Sequence, residues 1–178
     1  MRRVSAKQWS LKPQDLAVAM KLLLLRDKPL SYAALAEAMH LSPYEAHAAV
    51  QRLVAARLIV ETPERYQLAK EALREFLLHG ARYAFPPVVG EPTVGVPTAH
   101  AVEPLSKHFR GGNDLPPVWP HPQGEVRGVG LLPLYPRLSE AALSDPELHQ
   151  ILALFDALRI GRARERKLAA DLIEKRFE

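Results

Sequence analysis

Residues Ser31 to Ile59 read SYAALAEAMHLSPYEAHAAVQRLVAARLI, and the punctuation of this stretch decides the fold. Ser31 stands after Pro29 as an N-cap, and Leu35, Ala38 and Met39 give an apolar stripe at helical spacing. A second start signal follows in SPYE. There the Ser42 hydroxyl can cap the amide of Glu45 while the Glu45 carboxylate reaches back to the amide of Ser42. Pro43 takes the first helical position, where its missing N–H costs nothing. Two helix starts this close leave room only for a turn, His40 and Leu41. Ala46, Val50, Leu53 and Val54 fall on one face of the second helix, with Leu58 and Ile59 continuing the apolar pattern. Tyr44, His47, Ala48, Gln51 and Arg52 fall on the other. A helix held by its apolar side, with polar residues near its N-terminus, is what the DNA major groove admits.

The stretch resembles the winged helix-turn-helix family and the MarR-type regulators within it. The likeness lies in Leu35-Ala36 on the first helix, Leu41-Ser42-Pro43 at the turn, and Leu53 to Ile59 leading into a wing. It covers roughly the first 80 residues. The resemblance implies a mainly α fold with a small β wing (α+β) and a recognition helix over 43–56. Arg57 departs from the pattern, standing where the family usually has a Gly; this implies a less favourable C-cap or a slightly longer helix. In the major groove, Tyr44, His47 and Gln51 are expected at base edges. Ser31, Tyr32, Ser42 and Arg52 are expected on phosphates, with Pro43 opening the helix. After Ile59, IVETPERYQL predicts a hairpin around Thr62-Pro63-Glu64. Arg65 near its tip is the residue for a phosphate or the minor groove, although Glu61 and Glu64 flank it.

Composition narrows the class. There is no cysteine, which excludes disulfides and thiolate metal sites. The basic N-terminus lacks the apolar run of a signal peptide, and Leu22 to Leu25 is too short to span a bilayer, so a soluble cytoplasmic protein without a membrane role is expected. Residues 1–80 carry 12 Lys and Arg against 8 Asp and Glu, 81–145 carry 5 against 6, and 146–178 carry 7 against 6. The net +4 therefore sits with the helix-turn-helix, as a polyanionic partner would require.

Three segments emerge: 1–85, 86–143 and 144–178. In the first, a helix from Lys12 to Arg26 opens at Pro13 with Leu16, Met20 and Leu23 on one stripe, and a later helix runs from about Lys70 to Tyr83, weakened by Gly80. Trp9 is a core-edge residue or a dimer anchor. From Phe85 the composition changes: 12 of the 16 prolines lie between Pro86 and Pro146, and eight of the nine glycines between Gly80 and Gly130. Proline at this density argues against regular helices and central strands. Yet Val88, Val89, Val96, Trp119, Leu131 and Tyr135 are too apolar for a solvated linker. The expectation is an ordered, loop-rich layer draped over the helical core or across a dimer, with short strands near Val118 and from Glu125 to Leu131, and a loop tip at Arg110 to Asp114. Ser144-Asp145-Pro146 then opens a helix to Arg159. After Gly161 a final helix runs from Arg162 to Phe177, the pair being a candidate dimerisation element.

Other chemistries find little support. His100, His108 and His121 lack the short spacing of a metal site, so neither metal nor other cofactor is expected. No GxSxG elbow or phosphate-cradling glycine loop is present, and no catalytic residues are assigned; an enzyme is disfavoured. The run Arg159, Arg162, Arg164, Arg166, Lys167 points to several sides of a helix, with Asp156 and Glu165 as partners, and reads as a salt-bridged surface. The leading expectation is a sequence-specific double-stranded DNA-binding transcriptional repressor acting as a homodimer. The other is an antitoxin-like or adaptor protein that binds a protein partner through the proline-rich segment. An effector-binding regulator is a third, with Phe109, Trp119 and Tyr135 as candidate pocket residues or ordinary core.

Overall fold

The computed structural model describes residues 9–26, 31–63, 66–109 and 114–178. Over the described residues the chain is mixed α/β, mostly helical with two small sheets. Two helices are covered on nearly every side and form its centre: α1 (Pro13–Leu24), buried without interruption from Asp15 to Met20, and α7 (Pro146–Ile160), buried from Ile151 to Leu158. They pack on one another, and Lys21 of α1 reaches Asp145, the N-cap of α7, at 2.6 Å. The Asp145 carboxylate also accepts from the Leu148 amide at 3.1 Å. One hydrophobic core thus runs across the composition boundaries at 85 and 143.

Around this pair stand α2 (Tyr32–Ala38), α3 (Pro43–Ala55) and a hairpin of β1 (Ile59–Glu61) and β2 (Tyr66–Leu68), in which Val60 faces Gln67. A helical rod follows: α4 (Lys70–Glu75), one π turn (Phe76–Gly80) and α5 (Ala81–Ala84). The helix persists through Gly80 by widening. The glycine fits tightly there, since a Cβ would meet the Phe76 ring at 3.0 Å.

In the proline-rich segment the short strands expected near Val118 and over 125–131 are present, and a third, unexpected strand joins them, so the segment is more regular than a loop layer. β3 (Val89–Pro97), β4 (Pro117–Pro120) and β5 (Val126–Leu131) close into a three-stranded barrel, β3 antiparallel to both others and β4 parallel to β5. Proline lacks the donor but keeps its carbonyl, and the barrel uses that half. Pro116 O accepts from Val129 N at 2.9 Å and Pro117 O from Thr98 N at 3.0 Å. Closure at this radius brings backbones together, so a Cβ on Gly95 would stand 2.0 Å from Trp119 O, and one on Gly128 2.0 Å from Pro116 O. A short helix, α6 (Leu138–Ser144), then runs where the composition predicted loop, and α8 (Ala163–Glu174) ends the fold.

A buried carboxylate holds the barrel to the helices. Asp156 of α7, 2% exposed, accepts from Thr98 Oγ1 and Trp119 Nε1, each at 2.7 Å, and from Arg159 Nε at 3.1 Å. Trp119 and Tyr135, candidate pocket residues in the sequence, are core. The Tyr135 hydroxyl donates to Met39 O, at the end of α2, at 2.7 Å.

Candidate nucleic-acid interface

The turn between α2 and α3 is built from local signals. Ser31 Oγ accepts from Ala34 N at 3.1 Å and starts α2. At its end His40 takes φ 50°, with Leu41 N donating to Ala36 O (2.8 Å) and His40 N to Glu37 O (3.1 Å). This is the paired-bond left-handed cap usually made with glycine. Ser42 and Glu45 form the capping box, with Glu45 N to Ser42 Oγ at 3.2 Å and Ser42 N to Glu45 Oε2 at 2.8 Å. The Ser42 backbone amide and then its hydroxyl hold the Glu45 carboxyl below its ordinary range, with the Lys12 ammonium adding its field. At the far end of α3, Arg57 adopts φ 61°, with Leu58 N on Leu53 O and Arg57 N on Val54 O, both 2.9 Å. Of the two outcomes implied by a missing glycine, a left-handed cap on an unfavourable residue is the one found.

α3 buries Ala46, Ala49, Val50 and Leu53, and leaves Ser42, Pro43, Tyr44 and His47 exposed. Tyr44 is 81% exposed. The His47 ring meets Tyr32 edge-on with centroids 4.9 Å apart, and Tyr32 lies 6.3 Å from Tyr66 of the hairpin. Gln51 Nε2 donates to the Tyr66 hydroxyl, which donates to Glu61 Oε1, both at 3.3 Å. The structure therefore gathers Tyr32, His47 and Gln51 into one cluster and adds Tyr66, whose role the sequence did not signal because its strand begins beside the hairpin tip. Burial, and next the neighbouring Tyr66, push the Tyr32 phenol up to about 12, so it stays a neutral hydroxyl.

Arg52 lies elsewhere. Its Nε and Nη2 grip the two oxygens of Asp15 at 2.7 Å each. The Arg52 side chain is 11% exposed and that of Asp15 fully buried. The expectation of a phosphate contact at Arg52 is corrected: this guanidinium ties α3 to the start of α1. The helical phase carried the clue, since Arg52 stands three residues after buried Ala49, about 60° away around the helix. α3 itself thus presents no free Lys or Arg. Tyr32 is half-buried rather than projecting, and the Ser42 hydroxyl donates to Glu45 Oε2 at 2.7 Å. Arg65 and the 110–113 part of the expected loop tip lie outside the described residues.

The remaining candidates disperse. Among the described residues no group of three potential metal ligands comes together. His149 Nε2 lies 2.8 Å from Pro97 O, and His121 Nδ1 accepts from Gln123 N at 3.3 Å. The basic run is engaged throughout: Arg159 on Asp156, Arg162 on Asp114, Arg164 over the Phe109 ring, Arg166 on Gly161 O and Lys167 on Asp171. No described helix is long and apolar enough to cross a membrane. Comparisons with models of known families, with curated proteins and with solved structures find no match for the chain.

Proposed function

We propose that the chain is a sequence-specific double-stranded DNA-binding regulator, a homodimeric repressor in which residues 31–68 act as a winged helix-turn-helix. α3 is the recognition helix and β1–β2 the wing. One observation carries this reading: α3 is anchored on its apolar side while Pro43, Tyr44 and His47 stand exposed on its first turns, with the hairpin fastened beside them through Gln51 and Tyr66. In this reading Tyr44 and His47 offer polar edges to bases, the exposed Ser31 and Lys12, the latter close enough to Glu45 for its charge to be felt there, contact phosphates, and Gln51 sets the angle of the wing. Pairing of two copies on a palindrome supplies the contacts that one short helix lacks.

The test is binding of the purified protein to a fluorescent fragment of its own upstream region, against scrambled DNA of equal length, over a salt series. A clear ratio between the two is expected, with specific binding reduced more than non-specific binding in the double variant His47→Ala, Gln51→Ala. Equal, steeply salt-dependent binding to both fragments would overturn the reading.

A second reading has its own support. Val88, Val89 and Leu132 are each 58% exposed and adjoin through the Leu132 N to Val88 O bond of 2.9 Å, giving the barrel an apolar edge. Together with the lack of a free Lys or Arg on α3, this supports an antitoxin-like or adaptor protein that holds a protein partner through the proline-rich segment. A stoichiometric partner in native cells, lost on Val88→Asp with Leu132→Asp, is the expected result there.

A further inference from the structure

A cleft of about 800 Å³ opens between the barrel, the 99–109 segment and the start of α8. That is within the size range of clefts that enclose small organic ligands. Apolar residues, Pro117 and Val129 among them, share its lining with polar groups, and Phe109 stands half-buried there with the Arg164 guanidinium 5.8 Å from the ring centroid. Charges of both signs line the mouth. Arg162 meets Asp114 at 2.9 Å, and both side chains are largely exposed, so this pair opens at little cost. Glu165 Oε2 accepts from Arg162 N at 2.8 Å and lies 3.9 Å from His100 Nδ1. The carboxylate thus already serves the first turn of α8, and the helix terminus is not the source of any affinity here.

From these groups we infer that the cleft binds a purine nucleoside monophosphate. Arg162 supplies what a phosphate needs, a charge-assisted donor that can open from a weak surface partner. Phe109 and the planar Arg164 guanidinium give a stacking surface for a flat base. Asp114 and Glu165 accept from ring or exocyclic N–H groups. An amino acid would satisfy the two charge signs but leave the Phe109 and Arg164 planes uncovered, and inorganic phosphate would use Arg162 alone. None of these groups belongs to the α3 surface, so the cleft can be occupied whatever that surface contacts.

The experiment is calorimetric titration of the full chain with AMP and GMP, beside adenosine and inorganic phosphate, with thermal melting of each mixture. Saturable binding of at least one nucleotide and a raised Tm are expected, with adenosine and phosphate each weaker by about tenfold or more, as for loss of a hydrogen bond to a charged group. Arg164→Gln, at an exposed site, lowers the affinity about tenfold, and Phe109→Ala lowers it too. Arg57→Gln, with the same charge change at the end of α3, leaves it intact. No heat and no Tm shift at millimolar nucleotide would overturn the proposal. So would phosphate binding as well as AMP, or an equal loss in Arg57→Gln and Arg164→Gln.

Discussion

Residues 31–68 and 89–131 each build a small substructure, and they close it over different distances along the chain. In the first, Ser31 caps with Ala34, Ser42 with Glu45, the two left-handed caps use bonds five residues back in sequence, and β1 meets β2 across a short turn. In the second, β3 must find β5 more than thirty residues on, as in the Gly95 to Val126 pair, and its anchor, Asp156, belongs to another helix. Local closure tolerates imperfect residues, since His40 and Arg57 occupy positions that favour glycine. Non-local closure does not, because Gly95 and Gly128 face backbone atoms that have nowhere to go.

The largest test of this contrast is Asp156→Ala. It leaves the buried Arg159 charge and the Trp119 N–H without their shared acceptor, and should cost about 3–5 kcal/mol in urea unfolding. A loss below about 1 kcal/mol would show that the barrel does not depend on this joint. Next is Gly95→Ala, expected to cost about 3 kcal/mol because the new methyl meets the Trp119 carbonyl; Gly90→Ala, whose Cβ would have only Gly130 O at 4.0 Å, is the near-neutral control. Equal effects would remove backbone crowding as the reason for these glycines.

A smaller effect concerns the join between the central helices. Partial burial alone would raise the Asp145 carboxyl, but the Lys21 ammonium and the Leu148 amide hold it below its ordinary 3.8. Its contribution is therefore present above that value and lost as pH falls through the lower folded one. Lys21→Met should cost about 1 kcal/mol at pH 7, a difference from the parent that narrows on acidification below about pH 3 in paired unfolding curves. The smallest effect is a gain. Arg57→Gly relieves the left-handed strain and should add up to about 1 kcal/mol, with the midpoint rising and the slope of unfolding unchanged. A loss would mean that the Arg57 side chain supports the cap.

Particular residues show how far the sequence carried. Ser42-Pro43-x-Glu45 placed the start of α3 and Asp145-Pro146 that of α7, both as found, because a cap is made within four residues. Arg52 was misplaced by a helical phase that set it on the polar face with Ala48, when Ala49 is the buried one and the partner, Asp15, lies 37 residues earlier. In the proline-rich segment β4 and β5 stand where apolar runs near Val118 and over 125–131 pointed, while β3 and the closure of all three were not legible. The segment's density of proline argued against central strands, yet its carbonyls and glycines are what a tight three-stranded closure uses. Trp119 was legible as apolar and ordered; its N–H partner was not.

What the sequence determined by itself is the starts of α2, α3 and α7, the hairpin and most of the apolar faces, since hydrogen bonds within a few residues and helical periodicity are written in neighbouring positions. What only the tertiary structure decided is the barrel, the turning of Arg52 toward Asp15, the joining of Tyr66 to Gln51, and the cleft between Phe109 and α8. Each depends on groups far apart in the chain being desolvated together, so the partner that makes a buried charge or a crowded glycine tolerable appears only when the core has closed.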